Sequence, residues 1–427
     1  MLDRSVAPSF TLPESVELVQ AKTLRLPNGC SLHLINAGEQ DVLRLELVFE
    51  AGAKYEDNKG SSYFTCKMLS EGTTKHSAKD IVEYFDVYGA FYELHHGPDH
   101  VIFTFYCLTK YTKEVSSLIK ELVLDSIFPD EELENIKNIT IQGLKVNQNK
   151  TSYLASVKFK ESIFGTNHPY GKILKEEDVK KINRESLISF YNKNIKGQKF
   201  NIVLSGNAND QTIEDIINIF GNIDVSKASS PSNSKEPNEW KYDTDLYIIN
   251  KEDSIQSSLR LGSPLIKKDH PDYFNWVILN EILGGYFGSR LMKNIREDKG
   301  FTYGISSSNV HLSEKSYFVI GTDVKKENTN QTLAEIQKEI YILKTTLVPN
   351  EELDTVKNYL IGTFLSSINT PFSLADKFKS IYFHKMDYSF YSNYLKAIKN
   401  ADSKNLLEVA NKYLDYEKMV KIVAGGV

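Results

Sequence analysis

The sequence has few cysteines and no long hydrophobic run, and these absences exclude several classes of protein. Only 3 cysteines occur among 427 residues and none of them form a CxxC pair, so a disulfide scaffold is excluded and a reducing compartment is expected. No apolar stretch approaches the length of a membrane span, and the first residues lack the apolar core of a secretory signal. We therefore expect a cytoplasmic protein that has no membrane partner.

An excess of charge of one sign is also missing. The chain has 51 basic and 56 acidic residues, which are mixed along it and give a net charge of −5. Because a nucleic-acid interface needs a basic stripe, no nucleic-acid partner is expected. Apolar residues make up 41% and charged residues 25%, as in ordinary globular proteins. A chain of this length exceeds one hydrophobic core of usual size, which predicts two or three domains.

What the sequence does contain is an internal duplication. Residues 129–138 read PDEELENIKN and residues 349–358 read PNEELDTVKN, with six identities in ten positions at an offset of 220. A repeat of this size indicates two homologous domains, because the repeats of a solenoid are far shorter. Each copy begins with Pro and acidic residues, which favour a helix N-terminus, and each follows an amphipathic segment with helical periodicity.

A segment rich in Ser, Pro, Asn and Lys separates the two repeats and predicts a surface linker. We place an N-terminal domain at residues 1–225, the linker at 226–240 and a C-terminal domain at 241–427. Each half opens with strand-like stretches and contains an alternating pair typical of a hairpin. The predicted fold class is α+β, with two homologous domains that each pack helices on one face of a mostly antiparallel sheet.

The second half carries the segment LGGYFGSRLMKNIREDKGFTYGI at residues 283–305. Its glycines match neither GxGxxG nor GxxxxGK[ST], so a phosphate-binding loop is not indicated. A helix is predicted to end at Gly300, where the chain turns into a strand. This turn would let Arg296 and Tyr303 converge from a helix end and a strand start. On the residues alone, a surface ion pair for Arg296 and a half-buried strand position for Tyr303 compete with that interpretation.

This segment resembles the C-terminal signature of the insulinase/pitrilysin-type zinc metallopeptidases, the inverzincins. The duplicated halves and the NHPYG at residues 167–171 are similar to that family as well, and the resemblance extends over essentially the whole chain. It implies that Arg296 and Tyr303 belong to a substrate site, where they would hydrogen-bond the peptide carbonyl and the oxyanion that develops on it. Ser289 and Arg290 match the family's Ser-Arg-Leu, for which a structural role is expected.

The metal motif of that family is replaced in this chain. The family carries H-x-x-E-H on a helix of its first half, where two His bind zinc and the Glu is the general base, and a further Glu ligand follows downstream. Residues 60–73, GSSYFTCKMLSEGT, align with that helix. Tyr63, Cys66 and Lys67 then take the positions of the first His, the Glu and the second His. The downstream ligand falls near Gly143, so no metal or other cofactor is expected in this chain.

Two further uses of this segment are weighed against simple packing. An autonomous zinc peptidase would need Cys66 and other, unidentified ligands, because tetrahedral zinc takes three protein donors besides water. A cysteine nucleophile would need a partner base, and only Lys67 lies beside it to lower the thiol pKa. The favoured interpretation is a packed Cys66 and a Lys67 that fills the vacant metal pocket. The His cluster at His95, His96 and His100 is interpreted as a hairpin tip rather than a metal site.

An empty metal site with an intact Arg–Tyr pair implies, through the resemblance, a non-catalytic subunit. Some family members work as two chains, one with the zinc motif and one that supplies Arg and Tyr. We therefore expect a substrate-binding subunit that is not an enzyme by itself and supplies Arg296 and Tyr303 in trans to a homologous, zinc-bearing peptidase subunit. The substrate would be an extended peptide, and the strand at residues 90–95 would be idle or bind it weakly. The alternative is a metal-free scaffold or peptide-binding protein of the same fold; in isolation the chain is open to forming a homodimer.

Overall fold

We describe the chain from a computed structural model that covers residues 16–226, 240 and 242–426. The predicted linker at 226–240 lies almost entirely outside these residues, so the domain boundary stays a prediction. Below, the first half is the chain up to residue 226 and the second half is the chain from residue 240 onward. The described strands are β1 Lys22–Arg25, β2 Ser31–Asn36, β3 Val42–Phe49, β4 Phe91–His96, β5 Val101–Leu108, β6 Asn201–Gly206, β7 Leu246–Asn250, β8 Gln256–Leu265, β9 Thr302–His311, β10 Ser316–Lys325 and β11 Val420–Gly425.

Helices make up most of the remainder of the described chain, and two of the helical segments are of the wider π type. The α-helices are α1 Ser61–Met68, α2 Ala78–Val87, α3 Thr112–Asp125, α4 Asp130–Gln148, α5 Thr151–Phe164, α6 Glu176–Lys181, α7 Arg184–Asn194, α8 Asp210–Gly221, α9 Tyr273–Asn280, α10 Thr329–Thr345, α11 Asn350–Ser366, α12 Pro371–Tyr382, α13 Ser389–Asn400 and α14 Ser403–Tyr413. The π-helical segments are Glu281–Gly285 and Met292–Asp298. Among the helices of the described residues, none is both long enough and apolar enough to cross a bilayer.

The two halves repeat one sheet topology. The first sheet has the strand order β1-β2-β6-β3-β5-β4 and the second has β7-β11-β8-β10-β9. Without β1 the two orders correspond strand for strand, and the single parallel pair falls at the same place, β2 with β6 and β7 with β11. The other neighbouring strands are antiparallel. The prediction of an α+β fold with two homologous, mostly antiparallel sheets is confirmed.

The duplicated segments start equivalent helices. Pro129 precedes α4 and Pro349 precedes α11, and acidic residues in the first turn of each helix face the positive end of the helix dipole. The helix that follows in each half, α5 or α12, is equivalent as well, because the same offset relates them. The repeat seen in the sequence is therefore a pair of consecutive helices in each half.

Each sheet buries one face under helices of its own half, as the sequence predicts. The first core includes Phe49 and Phe103, and the second includes Trp276 and Phe318, all of which are almost fully buried. Removing such a side chain from water contributes roughly 2–3 kcal/mol. The two cores are separate clusters, so each half has its own apolar centre.

The other face of each sheet receives a helix from the opposite half. Helix α5 of the first half packs on β8 and β11 of the second sheet, where Phe159 lies over Ile422 in one apolar cluster. Helix α12 of the second half packs on β2 and β6 of the first sheet, where Phe378 lies against Val203. Because α5 and α12 are equivalent in the repeat, the exchange is reciprocal. It joins the two sheets through apolar contacts on both sides.

An arginine on the middle strand of each sheet anchors the exchanged helix. Arg44 on β3 donates to Asp376 of α12 with an Nη2–Oδ1 distance of 2.9 Å. Arg260 on β8 donates to Ser156 of α5 with an Nε–Oγ distance of 3.2 Å. Asp376 and Ser156 are equivalent in the repeat, so both arginines reach the same point on the exchanged helix. The interface between the halves is thus itself duplicated.

The residues beside these arginines differ between the halves. In the first sheet the buried carboxylate of Glu46 pairs with Lys379 of α12 at 2.5 Å. In the second sheet Gly262 of β8 lies against Phe159 of α5. A Cβ at Gly262 would lie 2.9 Å from Cζ of Phe159 and 2.0 Å from the carbonyl oxygen of Phe318, so no side chain fits there. An ion pair therefore lies beside the arginine in the first half, and an aromatic ring over glycine lies beside it in the second.

Candidate functional site

Helix α1 carries three of the four positions assigned to the degenerate metal site. Its N-terminus is capped by Glu56, whose carboxylate accepts from the backbone N–H groups of Gly60 and Ser62, both at 2.9 Å. Burial raises the pKa of Glu56 to about 7, although these donors act in the opposite direction. The carboxylate of Glu56 is therefore used to cap the helix.

Cys66 points into the first core and Lys67 does not. Cys66 is 1% exposed, and burial raises the pKa of its thiol to about 12, against the smaller lowering effect of Lys67. A thiol that stays protonated at neutral pH is a poor nucleophile. The packed Cys66 agrees with the favoured interpretation. Lys67, however, lies exposed and does not fill a closed pocket, because the next residue of a helix is turned away from the face that Cys66 buries.

The two remaining positions of the degenerate site are Tyr63, which packs against other rings, and Gly143, which is exposed. The ring of Tyr63 packs edge-on against Phe64 at 5.1 Å and against His96 of β4 at 5.8 Å. Gly143 is exposed on α4, with nothing within 4 Å of a Cβ built on it. Within residues 16–226, 240 and 242–426, no group of three or more His, Cys, Asp or Glu side chains is placed to hold a metal. These residues do not fit a zinc ion.

The three histidines of the β4–β5 hairpin do not converge. His95 is exposed, whereas His96 is half-buried and burial lowers its pKa to about 4. His100 lies with its ring centroid 4.7 Å from that of Phe383, beyond the end of α12 in the second half. Their side chains therefore serve different contacts, one of which connects the two halves.

The segment with Arg296 is built from the two π-helical turns and a close approach to β9. A Cβ at Gly284 would lie 2.7 Å from Oγ of Ser307 and 2.9 Å from its backbone nitrogen, so only glycine lets the first turn lie against the strand. The second turn contains Arg296 near its end. Segments of π-helix are rare and are frequent at functional sites. The local geometry therefore places Arg296 beside the start of β9.

Arg296 contacts the backbone of Tyr303. Its Nε donates to the carbonyl oxygen of Tyr303 at 3.0 Å, and its guanidinium carbon lies 4.5 Å above the ring of Phe287. The ion pair with Glu297 is long, at 4.0 Å, and the Arg296 side chain is 35% exposed. Since a guanidinium has five N–H groups, several donors of Arg296 stay available after these contacts.

The phenol of Tyr303 is directed into solvent. Its side chain is 93% exposed, which is far from the half-buried strand position that competed in the sequence analysis. Tyr303 is the second residue of β9, which forms one edge of the second sheet. The structure thus joins Arg296 to the backbone of Tyr303 and not to its hydroxyl. Both side chains offer donors at the same end of an edge strand.

An open groove begins at this end of β9. The β9 groove has a volume of about 440 Å³ and lies beside α5, on the part of that sheet face that α5 does not cover. Small and polar side chains dominate its lining. The lining residues that matter below are Arg260, Tyr303, Gly304, Ser306, Ser308 and Gly321.

Two small residues keep the groove open. By strand register, Gly321 of β10 and Ser306 of β9 are partners in the second sheet. In the first sheet, the register partners Tyr106 of β5 and Phe91 of β4 carry large rings. The rings of Tyr106 and Phe91 stack at 4.8 Å with an interplanar angle of 10°. The groove therefore depends on two small residues, which the sequence analysis missed because their significance appears only once the strands are paired.

Arg290 and Ser289 of the same segment are used within the second half. Arg290 forms a two-pronged pair with Glu352, with Nε–Oε1 at 2.9 Å and Nη2–Oε2 at 2.8 Å. Glu352 belongs to the duplicated PNEELDTVKN at the start of α11. Ser289 is 1% exposed and lies inside the fold. Arg290 holds the segment against α11, and neither residue lines the groove.

Family models match both halves of the chain. Residues 33–173 match the model described as Insulinase (Peptidase family M16), and residues 181–360 match the model described as Peptidase M16 inactive domain. The chain belongs to peptidase family M16. This confirms the resemblance drawn from residues 283–305. Because the positions of the H-x-x-E-H motif hold Tyr63, Cys66 and Lys67, the chain is a non-catalytic member of the family.

Curated relatives carry names of both kinds, peptidase and non-peptidase. A Bacillus subtilis protein named uncharacterized zinc protease YmxG is 23% identical over 347 residues, which are 80% of this chain and 83% of that protein. A Helicobacter pylori protein named non-peptidase homolog YmxG is 24% identical over 342 residues, 77% of this chain and 78% of that protein. Similarity at this level therefore extends to both kinds of protein.

Solved structures share the whole fold. A crystal structure of a peptidase M16 inactive domain from Pseudomonas fluorescens has a TM-score of 0.85 and 24% identity, and the match covers 95% of this chain and 98% of that one. The structure of a protease from Helicobacter pylori also has a TM-score of 0.85, at 16% identity and with 96% and 100% coverage. At these identities the likeness establishes the fold alone.

Proposed function

We propose that this chain is the substrate-binding subunit of a two-chain zinc metallopeptidase. A homologous partner would bear the zinc and the bond-breaking groups, and this chain would supply Arg296 and Tyr303 in trans. The observation that carries the proposal is that free donors of both residues lie at the mouth of an open groove in a chain whose metal positions are replaced. By itself the chain would cleave nothing.

The two side chains would act as hydrogen-bond donors to a substrate carbonyl. The guanidinium is held by the carbonyl of Tyr303 and the ring of Phe287, so its direction is set before substrate arrives. Fixed donors aimed at developing negative charge stabilise an oxyanion more than they stabilise the neutral carbonyl. The exposed phenol of Tyr303 would contribute the second donor.

The substrate would be an extended peptide. Strand β9 is an edge of its sheet, and its outer backbone groups are available for pairing with a further strand. Alternate side chains of such a strand would point into the β9 groove, where Ser306 and Gly321 leave room. Strand β4, which includes most of the predicted strand at 90–95, is also an edge, but there Phe91 is stacked on Tyr106. We therefore assign the peptide to β9.

The second candidate is a metal-free scaffold or peptide-binding protein of the same fold. The name of the Helicobacter pylori relative, non-peptidase homolog, favours it. In that case no zinc-bearing partner exists and a homodimer is the expected assembly. We propose a cytoplasmic location for either function, because a reducing compartment suits the three buried, free thiols of Cys30, Cys66 and Cys107.

Co-purification with variants separates the two functions. The chain would be used to capture partners, and the zinc content and peptidase activity of the recovered complex would be measured. Arg296→Ala and Tyr303→Phe should each lower activity about 10²–10³-fold, the cost of one oxyanion donor, and leave zinc and association unchanged. Matched controls are the exposed Arg25→Ala and Tyr341→Phe, which should be neutral. Full activity in the Arg296→Ala complex, or recovery of only a metal-free, inactive homodimer, would overturn the proposal.

A further inference from the structure

A second cavity lies among the helices of the second half. It has a volume of about 360 Å³, within the range of small-molecule sites, and is formed by α9, α11, α12, α13 and the loop before α9. Two lysines and several aromatic side chains line it. The residues used below are Lys268, Lys377, Tyr273, Phe364, Tyr391 and Tyr394, and we call the cavity the dilysine pocket.

Both lysines of the dilysine pocket lack a counter-ion. Lys268 donates from Nζ to the backbone carbonyl of Ser380 at 3.1 Å, and Nζ of Lys377 lies 5.5 Å above the ring of Phe364. Across the described residues, neither lysine lies within ion-pair distance of a carboxylate. Asp376, the neighbour of Lys377 on α12, is already paired with Arg44. Two partly buried ammonium groups therefore share one cavity without an anion.

The electrostatics of the pocket reflect this missing charge. Burial lowers the pKa of Lys268 to about 8, and the positive charge of Lys377 lowers it further. Burial also lowers the pKa of Lys377, which the charge of Asp376 partly offsets. The nearby His311 and His384 stay neutral at neutral pH, since burial lowers their pKa to about 3 and about 4 and the charge of Lys268 lowers it further. An anion between the lysines would relieve the cost of burying them.

The walls of the pocket are aromatic and its floor is fixed by hydrogen bonds. The ring of Phe364 lies 5.6 Å from that of Tyr391 and 5.9 Å from that of Tyr394. The hydroxyl of Tyr391 donates to the carbonyl of Lys377 at 2.7 Å and lies 2.8 Å from Oγ of Ser380. These bonds tie α13 to α12 beneath the lysines. The cavity thus combines a preformed apolar surface with two cations.

We propose that the dilysine pocket binds an organic anion, in which a carboxylate or phosphate group lies between Lys268 and Lys377 and an aromatic or apolar body packs on Phe364, Tyr391 and Tyr394. A charged head between two ammonium groups gains charge-assisted hydrogen bonds, and a planar body gains aromatic contact. Neither gain needs the β9 groove or a zinc-bearing partner. The inference is therefore independent of the proposed function.

Titration of the full chain with four small probes tests this inference. Phenyl phosphate and benzoate present the two head groups, inorganic phosphate lacks the body, and benzyl alcohol lacks the charge. Calorimetry should show saturable binding of phenyl phosphate, of benzoate or of both, and thermal unfolding should shift upward with the probe that binds. The stronger of the two aryl anions identifies the head group. Binding of neither aryl anion, or equal binding of benzyl alcohol, would overturn the proposal.

Variants of the lysines connect binding to the pocket. Lys268→Met and Lys377→Met should each weaken the binding of the aryl anion about 10-fold or more, the scale of one charge-assisted hydrogen bond. Without ligand both variants should be as stable as the wild type or more so, because each removes a cation that is buried without a partner. Lys267→Met, in the exposed neighbour of Lys268, is the matched control and should bind normally. Undiminished binding in the double Lys268→Met, Lys377→Met variant would overturn the assignment to this cavity.

Discussion

The ion pairs that hold α12 on the first sheet allow a test of how the two halves are joined. Glu46 is 4% exposed at its side chain and pairs with Lys379 at 2.5 Å and with Arg44 at 3.2 Å. Replacing Glu46 by Gln would leave these two cations with Asp376, whose side chain is 57% exposed and therefore compensates them poorly. Because an uncompensated buried charge costs several kcal/mol, we expect Glu46→Gln to destabilise the protein by about 3 kcal/mol.

Removing both partners of this ion pair should cost less than removing them one at a time. The double variant Glu46→Gln, Lys379→Met leaves only Arg44 to be compensated by Asp376, so it should cost less than the sum of the two single variants. Lys379→Met alone leaves Glu46 with Arg44 and should cost about 2 kcal/mol, less than Glu46→Gln. The two sites should therefore be strongly coupled.

Urea unfolding of the variants, followed by circular dichroism, measures these free energies. The matched control is Lys79→Met, which breaks the pair between Lys79 and Glu83 on α2, where the side chains are 82% and 62% exposed. This exposed pair should contribute less than about 1 kcal/mol. If Glu46→Gln costs no more than the control, or if the double variant costs the sum of its parts, the reasoning about the buried pair is wrong.

Three further outcomes are expected. Gly321→Tyr should fill the β9 groove and lower peptide binding or assembled activity about 10-fold or more, whereas Gly321→Ala should not; a Cβ there meets Arg260 at an ordinary 3.6 Å, so folding is preserved. Cys66 should resist alkylation by iodoacetamide at about pH 8 in the native protein and react once it is unfolded, as thiol mass labelling would reveal. The free energy of unfolding should rise as the pH rises from about 8 towards 10.5, because Lys268 loses its proton in the folded state at a pH where the unfolded chain still binds it. Urea unfolding midpoints measured across this pH range should show the rise in the wild type and not in Lys268→Met.

The sequence predicts the elements that depend on local pattern. The duplicated PDEEL and PNEEL predict two equivalent helices because Pro and acidic residues favour a helix start whatever the helix contacts. The replacement of the H-x-x-E-H positions is also visible without a structure, since Tyr63, Cys66 and Lys67 fall in one short segment. Arg296 and Tyr303 are near each other for the same reason, a turn at Gly300 between neighbouring elements.

Features that depend on distant pairing are not predictable in this way. The periodicity of α5 indicates that Phe159 is on an apolar face, but not that this face meets the sheet of the opposite half. The sequence predicts that Lys67 fills a pocket. Only the orientation of α1 shows that its neighbour Cys66 points into the core and that Lys67 is exposed. The β9 groove arises because Gly321 lies opposite Ser306, and neither residue by itself predicts the register of the two strands. The dilysine pocket likewise joins residues from α12 and from the loop before α9.

The two edge strands β4 and β9 differ in what lies beside them, and this difference supports assigning recognition to the second half. Beside β4, the ring of Phe91 stacks on Tyr106 and the ring of Tyr63 packs on His96. Beside β9, Gly321 lies opposite Ser306 and the space is open. A protein that only needed a scaffold would gain stability by filling this space with larger side chains, since aromatic pairs contribute about 0.5–1.5 kcal/mol beyond their area. The open groove is thus a cost to folding, and a ligand that pairs with β9 would offset it.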